Sequence, residues 1–274
     1  VEFDMPKAEV NGINISYKIE GNGEPLIMIM GIASTKKSWL FQTLAFKKYF
    51  KVITFDNRGC GESDKPDGAY SIKTMADDTA GLMAYLGIER AHVLGVSMGG
   101  MIAQELAINY PEKVNKLILG CTMAKRTEPG GFSTELPKKL GYTGDYSYSD
   151  AMNLPVKIIV IALAELAFNI KMNNLFLLPV MKLLMRKHDT SGIKNQVAAI
   201  WEHDTMQRLK DIRASTLVIA GSDDRVISPQ SSDVIAERIP DSKLVKYEGG
   251  SHAFFVEMRK RFNREVIAFL KNGQ

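Results

Sequence analysis

Short apolar segments alternate with longer amphipathic ones along the first 121 residues of the chain. The short segments are continuous apolar runs of strand length, which predict strands buried on both faces of a parallel sheet. The predicted strands are 26–30, 52–55, 91–96 and 114–119, and the predicted helices are 38–49, 71–86 and 98–109. Near the start of the chain, alternation on both sides of Asn11 and Gly12 predicts a β-hairpin with a two-residue turn.

The alternation stops near residue 122 and resumes with an apolar run beginning at Thr216. The resumed pattern predicts strands at 216–220 and 243–247 and helices at 230–238 and 254–270. Strands that alternate with helices favour a parallel sheet with helices on both faces. We therefore divide the chain into an α/β core, residues 1–121 and 213–274, and a helical insertion, residues 122–212.

The insertion is rich in Ile, Leu, Val and Met between residues 154 and 185. A membrane-spanning helix needs about 20 apolar residues without interruption, and Glu165, Lys171 and Pro179 interrupt this stretch. The pattern therefore predicts a helical cap over an apolar cleft, and no stable membrane span.

The predicted strand 91–96 runs into Gly-Val-Ser-Met-Gly at 95–99, and a helical pattern follows at once. This strand–turn–helix layout is typical of a nucleophile elbow, in which the serine, here Ser97, has a strained backbone and an outward hydroxyl. Side chains at Gly95 and Gly99 would collide in such a turn. The N-terminal end of the helix would then face the reacting atoms. The alternative is an ordinary turn with an idle serine.

A serine becomes nucleophilic when a neighbouring base takes its proton. The chain has four histidines, and His252 lies in the loop after the last predicted strand, at the sheet edge where clefts form. We expect His252 to be the base. His92 lies at the start of the predicted strand 91–96, at the end opposite Ser97, and we expect it to have a structural role. His188 and His203 fall in the insertion, where a surface or packing role is expected.

The carboxylate that orients the base should follow a strand at the same sheet edge. Asp223 and Asp224 both follow the predicted strand 216–220, and the residues alone leave both open. Either choice gives the chain order Ser, Asp, His.

Five motifs together resemble those of the α/β-hydrolases, in the branch of capped esterases, lactonases and C–C hydrolases. They are Gly31, Asp-Asn-Arg-Gly-Cys-Gly-Glu-Ser at 56–63, the elbow at 95–100, Gly-Ser-Asp-Asp-Arg-Val-Ile-Ser-Pro at 221–229, and Gly-Ser-His at 250–252. The resemblance covers nearly the whole chain outside the cap. It implies an α/β-hydrolase fold, with a mostly parallel eight-stranded sheet, helices on both faces and an inserted helical cap. It also implies that Asp224 is the acid and Asp223 a loop residue.

The resemblance implies an oxyanion hole made by the backbone N–H groups of Met98 and Ile32. Relatives usually carry His-Gly before the second donor, where this chain has Met30-Gly31. We place the substrate beside these groups. The expected substrate-binding residues are Gly31, Trp39, Met152, Met172, Met181 and Phe254. Methionine is flexible and polarisable, so the three methionines suit varied acyl chains, although packing between cap and core would use them equally well.

Haloalkane dehalogenases and epoxide hydrolases carry a carboxylate at the elbow position, where this chain has Ser97. A serine at this position indicates attack on acyl carbonyls. The leading hypothesis is a carboxylesterase with an apolar acyl pocket under the cap. A lactonase acting on an enol-lactone or an acyl-homoserine lactone would use the same chemistry. A C–C hydrolase would require a cation for the substrate carboxylate, for which Lys125, Arg126 and Arg225 are candidates. Perhydrolase or haloperoxidase activity could be a side reaction, and a low-turnover ligand receptor is the alternative of another class.

Charge and cysteine content bear on the binding partners and the cellular compartment more than on the reaction. The 274 residues carry 35 basic and 31 acidic side chains, a net charge of +4, which is too small and too dispersed to indicate nucleic-acid binding. Cys60 and Cys121 have no metal or redox spacing, and the first residues do not resemble a signal peptide, so we expect a cytoplasmic protein. We expect a small-molecule ester or lactone substrate, no cofactor and no metal, and the oligomeric state is left open.

Overall fold

A computed structural model of the protein describes residues 5–126, 135–141, 147–168 and 190–272. Its strands, in chain order, are β1 (Lys7–Val10), β2 (Ile13–Glu20), β3 (Glu24–Ile29), β4 (Phe50–Phe55), β5 (Ala91–Val96), β6 (Val114–Gly120), β7 (Ser215–Gly221) and β8 (Ser242–Tyr247). They form one sheet in the order β1-β2-β4-β3-β5-β6-β7-β8. The pairs β1–β2 and β2–β4 are antiparallel and the other pairs are parallel. The predicted α/β architecture with a mostly parallel eight-stranded sheet is confirmed.

Helices connect these strands. In chain order they are α1 (Leu40–Phe46), α2 (Ile72–Tyr85), α3 (Met98–Asn109), α4 (Glu135–Lys139), α5 (Tyr148–Asn153), α6 (Val156–Ala167), α7 (Thr190–Glu202), α8 (Gln230–Arg238), α9 (Phe254–Glu257) and α10 (Arg259–Lys271), with 3₁₀ turns at Lys36–Trp39, Pro111–Lys113 and Leu209–Asp211. Ser71 caps α2 through a reciprocal pair of bonds with Thr74, which satisfies amides that the first helical turn leaves free.

Side chains point alternately to the two faces of the sheet, as the period of two in a strand requires. In β3, Ile27 and Ile29 belong to the apolar cluster shared with α2, α3 and α8. Leu26 and Met28 belong to the opposite cluster, shared with α1 and α10. The continuous apolar run of β3 is therefore explained by burial on both faces.

The structure differs from the predicted elements mainly at helix boundaries. The predicted β-hairpin is present, and its two turn residues, Asn11 and Gly12, both have positive φ, as a two-residue turn requires. The predicted helix 38–49 is shorter, because its first residues form a 3₁₀ turn and Phe50 already pairs with Glu24 in the sheet. The predicted helix 254–270 divides into α9 and α10, because Met258 leaves helical dihedral angles.

Helices α4 to α7 lie between β6 and β7, inside the predicted cap. In the described part of this segment the β-type pairing is a single bridge between Lys125 and Asp204. None of the described helices is both long and apolar enough to cross a membrane. The boundaries at residues 122 and 212 remain a prediction.

A buried ionic network joins the loops that follow β3 and β4. The Lys36 ammonium lies 2.8 Å from Asp56 Oδ2 and 2.8 Å from Glu62 Oε2. Asp56 also accepts bonds from the backbone N–H groups of Lys36 and Glu62, at 2.7 and 2.9 Å. The Lys36 and Asp56 side chains are almost completely buried, so each charge depends on the other for compensation.

Replacing this buried ammonium should destabilise the whole domain. Lys36→Met leaves the Asp56 carboxylate buried without its cation, and we expect the free energy of unfolding to fall by roughly 3–5 kcal/mol. Urea unfolding followed by circular dichroism measures this change. The neighbouring Lys37 is the matched control, because its side chain is 78% exposed and lies 3.8 Å from Glu62. Lys37→Met should change stability by less than about 0.5 kcal/mol. Equal losses in the two variants would contradict a stabilising role for the network.

Candidate active site

Ser97 occupies the single residue between β5 and α3, with φ of 56° and ψ of −125°. This left-handed backbone is strained for a residue with a side chain. A Cβ on Gly95 would overlap the carbonyl oxygen of Gly99, and one on Gly99 would overlap that of Ile29. Only glycine at both positions lets β5, α3 and β3 approach closely enough to form the turn.

Neighbouring strands hold this turn in place. The Ser97 N–H donates to the Gly120 carbonyl at 2.9 Å. The Thr122 hydroxyl donates to the Ser97 carbonyl at 2.8 Å. Because Gly120 ends β6 and Thr122 follows two residues later, the elbow is tied to the sheet on the side away from β3.

His252 and Asp224 form a buried pair. Asp224 Oδ1 accepts the N–H groups of Val226 and Ile227 at 2.8 and 3.0 Å. Asp224 Oδ2 lies 2.7 Å from His252 Nδ1. The two amides fix the carboxylate, and the carboxylate in turn fixes the imidazole ring, whose Nε2 is left for another partner.

Asp223 occupies a different environment from that of Asp224. Its side chain is about half exposed and lies 3.4 Å from the guanidinium of Arg225. The structure therefore brings Asp224, and not Asp223, against His252.

Ser97 and His252 both line one cavity of about 410 Å³. Among the described residues no hydrogen bond joins the Ser97 hydroxyl to the His252 ring, so proton transfer requires the two side chains to close on each other when substrate binds. Gly31 lies against Ser97, because a Cβ at that glycine would stand 3.1 Å from Ser97 Cβ. The loop after β3 therefore packs directly against Ser97.

Two backbone amides at the predicted oxyanion hole have no protein acceptor among the hydrogen bonds of the described residues. They belong to Met98, the first residue of α3, and to Ile32 in the loop after β3. The next amide in that loop, that of Ala33, donates to Gln196 Oε1 at 3.0 Å. Unpaired N–H groups at a helix start and beside the serine suit a developing negative charge.

The cavity has mostly apolar walls. Helices α6 and α7 contribute a large share of its apolar side chains, which include Ile159, Val160, Leu163, Val197, Ile200 and Trp201. Ser34, Thr35 and Ser38 are among the polar residues of its lining. The apolar residues of α6 recur with helical periodicity, and this sequence signal could have identified the α6 residues that line the cavity.

The predicted substrate pocket is only partly found where we expected it. Gly31 lines the cavity, but Trp39 and Phe254 are fully buried in the core and Met152 does not belong to the described lining. The Trp39 ring packs against Phe255, with centroids 5.6 Å apart, and it is Phe255 that reaches the cavity. Placement of Trp39 and Phe254 in the pocket was wrong, because both side chains turn towards the sheet. The other predicted residues, Met172 and Met181, lie outside the described residues.

The two other histidines in the described part of the chain are buried and do not line the cavity. His92 is buried with Nε2 3.0 Å from Glu24 Oε2, and burial lowers its pKa. His203 is also buried, which lowers its pKa to about 4, so it packs in the interior and is neutral near pH 7. His188 lies outside the described residues.

The two cysteines are free, buried thiols. Burial raises the pKa of the Cys60 thiol to about 12, and it raises that of Cys121 well above the usual value. Neither thiol is therefore activated as a nucleophile. The described residues contain no group of three His, Cys, Asp or Glu side chains arranged to hold a metal ion.

Comparisons with known proteins find relatives that are similar over nearly the whole chain. The RutD protein of Azorhizobium caulinodans is 30% identical over 271 residues, which cover 97% of this chain and 98% of the relative. The enol-lactonase of Burkholderia xenovorans superposes with a TM-score of 0.82 at 25% identity, over 97% of this chain and all of that one. Est816, an N-acyl homoserine lactone degrading enzyme, superposes with a TM-score of 0.81 at 27% identity, over 96% of this chain and all of that one.

A family model described as the alpha/beta hydrolase fold matches residues 24–143 and 178–258. These ranges contain the elbow, the Asp224 loop and His252, and they make up more than half of the chain. The chain belongs to the alpha/beta-hydrolase fold family.

Proposed function

We propose that this protein is a serine hydrolase that cleaves neutral carboxylic esters through an acyl-enzyme. One observation carries the proposal. A serine on a strained elbow and a buried histidine–aspartate pair line the same apolar cavity.

In the first half-reaction, Ser97 Oγ attacks the acyl carbon while its proton moves to His252 Nε2. Asp224 accepts the Nδ1–H bond and stabilises the imidazolium that forms. The carbonyl oxygen becomes an oxyanion, which the amides of Ile32 and Met98 would stabilise by about 3–4 kcal/mol each. When the tetrahedral intermediate collapses, the alcohol leaves with the proton from His252.

In the second half-reaction a water molecule attacks the acyl carbon, and His252 takes one of its protons. Collapse of this second intermediate breaks the bond between Ser97 Oγ and the acyl carbon. The carboxylic acid leaves, and the proton returns from His252 to Ser97. No step requires a group beyond the three side chains, two amides and water.

The charge of the cavity favours a neutral substrate. Its described walls carry no Lys, Arg, Asp or Glu side chain. The cations considered for binding a carboxylate have other partners: Lys125 lies 2.8 Å from Asp204, Arg126 stacks on the Trp201 ring at 4.0 Å, and Arg225 lies beside Asp223. Burying a carboxylate without compensation is costly. C–C cleavage of an anionic substrate is therefore disfavoured.

The helical segment 122–212 is proposed as the cap of this site. Its helices α6 and α7 supply a large share of the apolar wall, which suits an acyl chain and gives the small-molecule substrate a water-poor chamber. The two free thiols are consistent with a cytoplasmic location.

A lactone is the second candidate substrate. The enol-lactonase and Est816 described above share this fold at 25% and 27% identity. The same attack by Ser97 would open a cyclic ester, and an acyl chain attached to the ring would fit the apolar wall. RutD is provisionally named a carbamate hydrolase, so a carbamate ester is a third acyl class for comparison in the same assay.

Ser97→Ala removes the proposed nucleophile, and we expect kcat/KM for p-nitrophenyl esters to fall by at least about 10³-fold. Esters of graded acyl length should show rising kcat/KM with chain length in the parent, because more of the apolar wall is covered. Equal turnover by the parent and Ser97→Ala would refute the proposal. Measuring kcat/KM for lactones and carbamate esters with matched acyl chains then ranks the three substrate classes, which are linear esters, lactones and carbamate esters.

Asp224→Asn should lower kcat by about 10³–10⁴-fold, because an amide cannot hold the tautomer that leaves Nε2 free to accept a proton. Asp223→Asn is the matched control, since its half-exposed side chain does not contact His252, and its kcat should stay within about twofold of the parent. Steady-state kinetics with one ester measures both variants. A larger loss in Asp223→Asn than in Asp224→Asn would reverse the assignment of the acid.

A further inference from the structure

Gln196 is a fully buried amide that reaches from α7 to two loops of the core. Its Oε1 accepts the Ala33 N–H at 3.0 Å, and its Nε2 donates to the Arg58 carbonyl at 2.9 Å. One partner is a donor and the other an acceptor, so only one orientation of the side-chain amide satisfies both bonds. Since the side chain has no exposure to water, losing either bond would leave a buried polar group unpaired.

The first of these bonds is made to the residue after Ile32, the proposed oxyanion donor. Ala33 has a φ of 55°, a left-handed conformation that a residue with a side chain adopts only when its surroundings hold it there. The Gln196 bond supplies such a restraint, because it fixes the peptide between Ala33 and Ile32. The direction of the Ile32 N–H therefore depends on the position of Gln196.

The helix that carries Gln196 is itself fixed on the core. The Tyr70 hydroxyl donates to the Gly192 carbonyl at 3.0 Å. Gly192 also packs so closely on Gly59 that a Cβ would overlap the Gly59 backbone. The same helix contributes Val197 and Trp201 to the lining of the cavity. One helix thus carries part of the substrate wall and the restraint on the loop after β3.

We propose that Gln196 is a positioning residue, which holds the loop after β3 so that the Ile32 amide points at the developing oxyanion. The inference rests on the proposed serine hydrolase function. It assigns to the cap a part in transition-state stabilisation, in addition to covering the substrate. Gln196 itself does not line the described cavity, so it acts through the loop.

Gln196→Met keeps the length of the side chain and removes both hydrogen bonds. We expect kcat for a p-nitrophenyl ester to fall by about ten- to hundredfold, because a misplaced donor binds the transition state poorly. KM should change less than about threefold, because the cavity walls are kept. Affinity for a trifluoromethyl ketone, which forms a tetrahedral adduct with the serine, should fall in parallel with kcat.

Thr205→Val is the matched control. Thr205 is a second fully buried polar side chain close to α7, and its hydroxyl bonds to Gln104 and Ala124 rather than to the loop after β3. This variant should lose stability while its kcat and ketone affinity stay within about twofold of the parent. Gln196→Glu keeps an acceptor for Ala33, and its kcat should recover at least part of the loss seen in Gln196→Met.

Three outcomes would overturn the inference: a folded Gln196→Met with kcat within twofold of the parent, a change confined to KM, or an equal loss of kcat in Thr205→Val. If Gln196→Met does not fold, Gln196→Asn decides, because its shorter side chain withdraws the acceptor from Ala33 while a polar amide is kept. Unchanged kcat and ketone affinity in that variant would then refute positioning. Failure of the proposed function would be visible separately, because the parent would then hydrolyse esters no faster than Ser97→Ala.

Discussion

The backbone turn at Ser97 is the constraint on which the rest of the site depends. A residue with a side chain adopts a φ of 56° only when the surrounding structure imposes it. Here the restraint comes from close contact between β5, α3 and β3, which the absence of side chains at Gly95 and Gly99 allows. The turn exposes the hydroxyl, and it also sets the start of α3, so that the Met98 amide has no acceptor among the described residues.

The other groups reach Ser97 because parallel strands end at one edge of the sheet. Ile32 follows β3, Asp224 follows β7 and His252 follows β8, and each lies within a few residues of a strand end. Loops at such an edge can vary while the strands keep their spacing. The buried network of Lys36 and Asp56 then holds the loops after β3 and β4 together, which couples the stability of the domain to the geometry of the site.

Sequence reasoning succeeded where the signal is local. Apolar runs predicted the strands, and Gly-x-Ser-x-Gly between a strand and a helix predicted the elbow. The choice between Asp223 and Asp224 needed the resemblance, because adjacent residues differ only in the direction of their side chains. Trp39 and Phe254 were misplaced for a similar reason, since the sequence does not show which side chains of a segment face the cavity and which are buried in the core. Gln196 could not be found, because its partners are 163 and 138 positions away along the chain.

The central claim is that Ser97 becomes nucleophilic because this fold brings it to His252. Intact-mass and peptide-mapping spectrometry after reaction with a fluorophosphonate tests it most directly, because the reagent forms a stable bond with an activated serine. We expect one adduct per chain, located on Ser97, and loss of rapid labelling in His252→Ala. An unlabelled native protein, an adduct on another residue, or an undiminished rate of labelling in His252→Ala would contradict it.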